Sequence, residues 1–195
     1  MQANVRLTLG RAVLPQTAVH DAIRVLLGAT LIAACAQVRI PLPFTPVPLT
    51  GQTFAVLLMG ALLGWRLGAI SCGVYLLSGI AGLPVFSGGA AGWAVMTGVR
   101  GGYLIGFVVA AAVVGWFAER GWDRGKAFII PLLLGEVAIY AFGLPWLAFF
   151  VGADQAVPMG LAPFIAGDLL KMSAVALLMP SSWTALRYLR SSAFS

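Results

Sequence analysis

The sequence predicts an all-α integral membrane protein with six transmembrane helices and both termini in the cytoplasm. Three observations carry this prediction. Of 195 residues, 61 % are hydrophobic and only 9 % charged, against about 25 % charged in a soluble domain. The apolar runs are continuous, which favours helices over the short alternating segments of a membrane β-barrel. The basic residues also divide unequally between the two sides. With spans of roughly 20 residues, about six helices fill the chain. No stretch is long or polar enough for a separate soluble domain, so 1–195 reads as one membrane domain.

Residues 1–17 are mixed and basic, and 18–38 is the first apolar span. A basic start before an apolar run also fits a signal peptide, and Ile32-Ala33-Ala34-Cys35 has the form of a lipoprotein cleavage box. The basic region is too long for that, and the chain re-enters the membrane afterwards. Ala29 and Ala33 form a small-xxx-small face suited to close helix contact.

Loop 39–50 carries four prolines between positions 41 and 48. Proline fixes φ and removes backbone donors, so this segment is no helix. It is too apolar for a wet loop and reads as a stiff extended lid against the outer mouth of the protein. Two short spans follow, 51–64 and 67–79, joined by a tight turn at Trp65-Arg66. Neither reaches the length of a full span, which predicts thin or tilted passage.

The next loop, 81–100, is rich in glycine. It lacks the Gly-Lys-Ser/Thr of a phosphate loop, and no GxGxxG follows a strand. Its glycines instead allow tight folding and close approach of backbone to a ligand. The remaining spans are 101–119, 127–151 (bent or ended near Pro145) and 161–180, with loop 152–160 between the last two.

Six spans place both termini on one side. That side collects Arg6, Arg11, Arg24, Arg66, Arg120, Arg124, Lys126, Arg187 and Arg190, leaving Arg39 and Arg100 opposite. The bias marks the first side as cytoplasmic. Loops 39–50, 81–100 and 152–160 then lie outside.

The candidate chemistry sits in the last span. Asp168 and Lys171 are three residues apart, on one helical face. A charge at bilayer depth costs roughly 2.5–3.5 kcal/mol on insertion scales, and intramembrane ionisable residues are functional by default. One reading is a ligand or ion site offering an acceptor beside a donor; the other is a salt bridge that only holds helices together. Both residues enter from the outer side, and Arg100 stands at the outer start of the fourth span.

Other function classes fit poorly. The +6 net charge is scattered between spans, unlike a nucleic-acid-binding stripe. Cys35 and Cys72 lie inside apolar segments with no CxxC pair, and there is no clustered histidine, so neither disulfide nor metal chemistry is indicated. His20, the lone histidine, reads as an interfacial residue. Ser87, His20 and Asp168 are the triad-type residues available to an intramembrane enzyme, and His20 belongs near the opposite face from the other two. An ion-coupled carrier in which Asp168 binds a proton or Na⁺ predicts inverted repeats, and the sequence shows no convincing repeat.

Four stretches in register carry a resemblance: Pro-Phe-Thr-Pro-Val-Pro-Leu-Thr-Gly-Gln-Thr-Phe (43–54), Gly-Leu-Pro-Val-Phe-Ser-Gly-Gly (82–89), Gly-Gly-Tyr-Leu-Ile-Gly-Phe (101–107) and Gly-Asp-Leu-Leu-Lys (167–171). Over 18–180 the chain resembles the BioY family, the biotin-specific substrate-capture (S) components of energy-coupling factor (ECF) transporters. One departure is Val99-Arg100, where many members have Pro-Thr or similar before Gly-Gly-Tyr.

The resemblance implies a six-helix S-component fold holding one biotin near the outer face beneath the first outer loop. On that basis Asp168 accepts from the ureido N–H groups, while Lys171 and Arg100 are the cations available to the carboxylate or the ureido oxygen. Phe44, Phe86, Tyr140 and Trp146 are candidates to wall the bicycle, with Gln52 and Ser87 as further polar contacts. The family works in the bacterial cytoplasmic membrane without enzymatic activity or bound cofactor. Its partners are a transmembrane coupling protein and a pair of ABC-type ATPases, met here through the Ala29–Ala33 face. Stand-alone or ion-coupled uptake of a small vitamin-like solute is the alternative.

Overall fold

A computed structural model describes residues 8–13 and 17–192; Arg6 lies outside them. The chain is mostly helical. A short helix α1 (Leu9–Val13) precedes α2 (Ala18–Gln37), α3 (Gln52–Ile80), α4 (Trp93–Thr97), α5 (Gly101–Ala118), α6 (Ile129–Val151), α7 (Ala153–Gly160) and α8 (Ile165–Ser192). Among the described residues, five helical segments are long and apolar enough to cross a membrane: Ala18–Gln37, Gln52–Ile80, Gly101–Ala118, Lys126–Val151 and Ile165–Tyr188.

Helix α2 starts at Thr17, whose hydroxyl accepts the backbone N–H of His20 at 3.3 Å and lies 2.6 Å from its Nδ1. This is an N-cap, and it gives the histidine a local structural role. At the other end of α2, Gln37 donates to the carbonyls of Val85 and Phe86 at 3.3 and 3.2 Å and accepts from Gly89 N at 3.1 Å. The glycine-rich loop is thereby fastened to the first long helix.

Helix α3 is a hairpin of two helices. Gly64 breaks it with φ 84° and ψ 177°, a conformation open essentially to glycine. The halves fold back on each other. Gln52 Nε2 donates to Tyr75 OH at 2.7 Å, although a straight helix would hold these residues about 34 Å apart. A Cβ on Gly68 would lie 3.0 Å from Gly60 Cα. The break falls one residue before the expected Trp65-Arg66 turn, because Glu119 occupies the space that a side chain at position 64 requires.

Helix α5 packs between this hairpin and α6. Cβ atoms on Gly60 and Gly115 would run into Ala111 and into the Gly64–Trp65 backbone. On the other flank, Gly102 and Gly106 leave no room for a Cβ beside Trp146 and Ile139. Small residues let these backbones approach closely.

Several segments differ from expectation. The proline-rich loop begins and ends in a two-stranded ladder, β1 (Arg39–Ile40) antiparallel to β2 (Leu49–Thr50), pairing Arg39 with Thr50 and Ile40 with Leu49. Loop 81–100 contains the short α4, and 152–160 is largely the helix α7, entered through Gly152 at φ 87°. Helix α6 continues through Pro145 to Val151. Helix α8 begins at Ile165, after the turn at Pro163, and runs past Pro180 to Ser192.

The Ala29–Ala33 face lies partly inside the helix packing. Ala29 is buried in the core, and Ala33 is half-buried against it. Gly28 on the same side meets Ser71 and Met59, so this small-residue stripe seats α2 on α3. The exposed face of α2 carries Val19, Ile23, Leu26 and Leu27 instead.

Candidate functional site

The proline-rich hairpin, the start of α3, the start of α5, the middle of α6 and the start of α8 converge at one end of the helices. Between them lies a cavity of about 520 Å³, its open mouth included. Apolar walls come from Val47, Pro48, Leu104, Phe107, Ile139 and Phe164; polar groups come from Thr50, Gln52, Thr53, Arg100, Tyr103, Tyr140, Asp168 and Lys171. A largely apolar cleft with a few convergent polar groups is the usual form of a small-molecule site.

Asp168 is the hub of its polar end. The residue is 4 % exposed. One carboxylate oxygen takes a hydrogen bond from Lys171 Nζ at 2.9 Å and one from Thr53 Oγ1 at 3.5 Å. The other oxygen takes the Tyr140 hydroxyl. Lys171 Nζ also donates to Thr53 Oγ1 at 2.9 Å. Three helices thus contribute to one network: α3 through Thr53, α6 through Tyr140, α8 through the ion pair. Burying a carboxylate is tolerable only with this degree of compensation.

Arg100 stands just before α5, half-buried, and its guanidinium donates to the Ser87 carbonyl at 3.3 Å. Burial, and then the nearby charge of Arg39, lower its pKa from the ordinary arginine value. Among the described residues it has no carboxylate partner. A desolvated cation facing a cleft is a natural receptor for an anionic group.

Of the candidates read from sequence, Gln52, Arg100, Tyr140, Asp168 and Lys171 line the cavity. Phe44, Phe86, Ser87 and Trp146 do not. Phe44 projects from the hairpin and is 58 % exposed. Phe86 is buried where a Cβ on Gly79 would stand, and packs edge-on to Tyr75 with ring centroids 5.5 Å apart. It supports Tyr75, which in turn receives the Gln52 amide. Ser87 presents its carbonyl to Arg100. Trp146 donates its indole N–H to Gly98 O at 2.9 Å, tying α6 to the loop before Arg100.

Sequence reading passes over Thr53, Tyr103 and Glu136. Nothing marks a threonine or a tyrosine in an apolar run as pocket-facing. Tyr103 earns its place through tertiary contacts: its hydroxyl donates to Gly160 O at 2.9 Å, and its ring packs across Gly143 and edge-on to Tyr140. Glu136 carried a signal, since it is an acid inside an apolar helix, the same cue that singles out Asp168. The triad-type residues do not assemble. His20 lies at the far end of α2 from Gln37, about 25 Å along the helix. Among the described residues, no three His, Cys, Asp or Glu side chains cluster as metal ligands.

Long apolar helices, lipid-compatible exposed side chains such as Leu26, Leu170, Leu177 and Phe149, and a recessed cavity with a charged end define a multi-pass membrane protein built to hold a small polar solute. The chain belongs to the BioY family, whose model matches residues 4–188. It is 38 % identical over 154 residues to a probable biotin transporter BioY of Pyrococcus horikoshii, covering 79 % of this chain and 90 % of the relative. A biotin transporter BioY of Rhizobium etli is 36 % identical over 162 residues, covering 78 % and 87 % of the two chains. One from Thermotoga maritima is 38 % identical over 149 residues, covering 76 % and 86 %. The crystal structure of the S-component for biotin from an ECF-type ABC transporter matches with a TM-score of 0.78 at 26 % identity, covering 86 % of this chain and 93 % of that one.

Proposed function

We propose that this chain captures biotin in the cavity beneath the proline-rich hairpin and serves as the substrate-binding component of an ECF-type transporter. The observation that carries the reading is the Asp168 network sharing one largely apolar cleft with Arg100, a cation without a carboxylate partner among the described residues. Biotin carries a ureido group, an apolar bicycle and a carboxylate tail. Asp168 accepts from the ureido N–H groups, with Lys171 beside it for the ureido oxygen. Val47, Leu104, Phe107, Ile139 and Phe164 enclose the bicycle, and Arg100 receives the carboxylate. Leaving any of these buried polar groups unpaired costs about 1–3 kcal/mol, which is the source of selectivity.

With α3 folded back at Gly64, the chain makes six passes as a single membrane domain. The excess of basic residues at Arg66, Arg120, Arg124, Lys126 and Arg187 supports cytoplasmic termini in a bacterial cell. The cavity then opens outward. A transmembrane coupling protein and a pair of ABC-type ATPases supply the energy. The coupling protein docks along α2, where Ala29 packs inward and Ala33 is half-buried.

Calorimetry on the detergent-purified chain tests the reading. Biotin binds far more tightly than unrelated vitamins if it holds. Binding weaker than millimolar, or equal binding of unrelated vitamins, would overturn it.

A further inference from the structure

Glu136 is a buried charge-bearing group beside the site described above that the site does not use. It lies on α6 one turn from Tyr140, on the same helical face and next to the cavity-lining Ile139. It is 5 % exposed, and among the described residues neither carboxyl oxygen has a hydrogen-bond partner. An isolated buried carboxylate is among the most costly groups a protein can hold, whereas the neutral acid is far cheaper.

The groups around it leave it no cation of its own. Asp168 and Lys171 act on it from α8, and Tyr140 from its own helix, with Tyr103 of α5 next to Tyr140. Thr53 of α3 bonds to Asp168 and Lys171 and does not titrate. Lys171 is already bonded to both Asp168 and Thr53. Two carboxyls therefore share one ammonium. The cluster is neutral when Glu136 holds a proton and carries one negative charge when it does not.

We propose that Glu136 is a proton-binding site coupled to ligand affinity: the cavity captures its anionic ligand with Glu136 protonated, and loss of that proton weakens capture. The added charge repels the ligand carboxylate and draws Lys171 away from Asp168. The ligand's chemistry here rests on the biotin reading above.

The test compares biotin affinity of the wild-type chain and Glu136→Gln from about pH 6 to about pH 9. Glutamine keeps the shape and fixes the neutral state. The wild type is expected to lose affinity about tenfold over this range, as one added charge implies, while the variant stays near the wild-type value of the acidic limit. A variant that follows the wild-type profile overturns the proposal. If Glu136→Gln does not fold, infrared spectra of the wild type decide: a protonated-carboxyl band that vanishes in step with affinity supports the proposal, and one that is absent or unchanged refutes it. A wild type that binds no biotin at any pH refutes the biotin reading instead, and the ligand-free infrared titration still tests the proton site.

Discussion

Gln52 and Tyr75 meet through a 2.7 Å hydrogen bond although 23 residues separate them within a single helical segment. The contact exists because Gly64 reverses the chain, and it fixes both a cavity-lining amide and the tyrosine on which Phe86 packs. Gly64→Ala is therefore expected to destabilise the protein by about 1–3 kcal/mol, since it imposes a backbone conformation that only glycine tolerates and pushes a methyl into Glu119. Gly73, in the same segment, has open space at its Cβ position. Gly73→Ala is expected to be neutral or to stabilise by up to about 1 kcal/mol. Thermal unfolding in detergent measures both, and equal effects would show that Gly64 is an ordinary helical glycine.

Much of this arrangement can be read from the chain itself. Continuous apolar runs mark the long helices, and prolines between 41 and 48 exclude a helix there. The charges of Asp168 and Lys171 stand out because lipid leaves such groups few acceptable places. What escapes is set by tertiary contacts. Thr53 matters because α8 presents Lys171 and Asp168 to it, and sequence carries no trace of that meeting. Phe86 and Trp146 look like ligand walls by composition, yet Gly79 and the Gly98 carbonyl claim them. The α7 helix, with glycine before it and Pro158 within, resembles a loop until Tyr103 and Thr45 are seen to hold its end.

Asp168 receives three donors, and removing its charge disturbs all of them. Asp168→Asn is expected to weaken biotin binding about 100-fold, on the scale of a lost hydrogen bond to a charged group, while the protein still purifies folded. Tyr140→Phe removes one donor and leaves the ion pair, so about a tenfold loss is expected. Calorimetry on both variants separates the readings: unchanged affinity in Asp168→Asn returns the pair to a purely structural salt bridge.

Arg100 is assigned to the carboxylate because Lys171, bonded to Asp168 and Thr53, has one N–H left, and that one is assigned to the ureido oxygen. Arg100→Gln is then expected to weaken biotin by about 10- to 100-fold, the worth of a charge-assisted hydrogen bond. The neutral carboxamide of biotin should lose much less with the same variant. Equal losses for acid and amide would place the carboxylate elsewhere.

Thr45 is the latch of the hairpin. Its hydroxyl donates to Met159 O at 2.7 Å and accepts from Val47 N at 3.2 Å, joining the tip of the proline-rich segment to the end of α7 directly over the cavity wall formed by Val47 and Pro48. The prolines make the hairpin stiff, so lifting it as a body requires the Thr45–Met159 bond to break. A neutral hydrogen bond contributes about 1 kcal/mol net, which corresponds to release of bound biotin about fivefold faster in Thr45→Ala. Thr45→Ser retains the hydroxyl and is expected to release at the wild-type rate. Chase of labelled biotin from the purified protein measures all three rates, and an unchanged rate in the alanine variant would show that biotin leaves without the hairpin lifting.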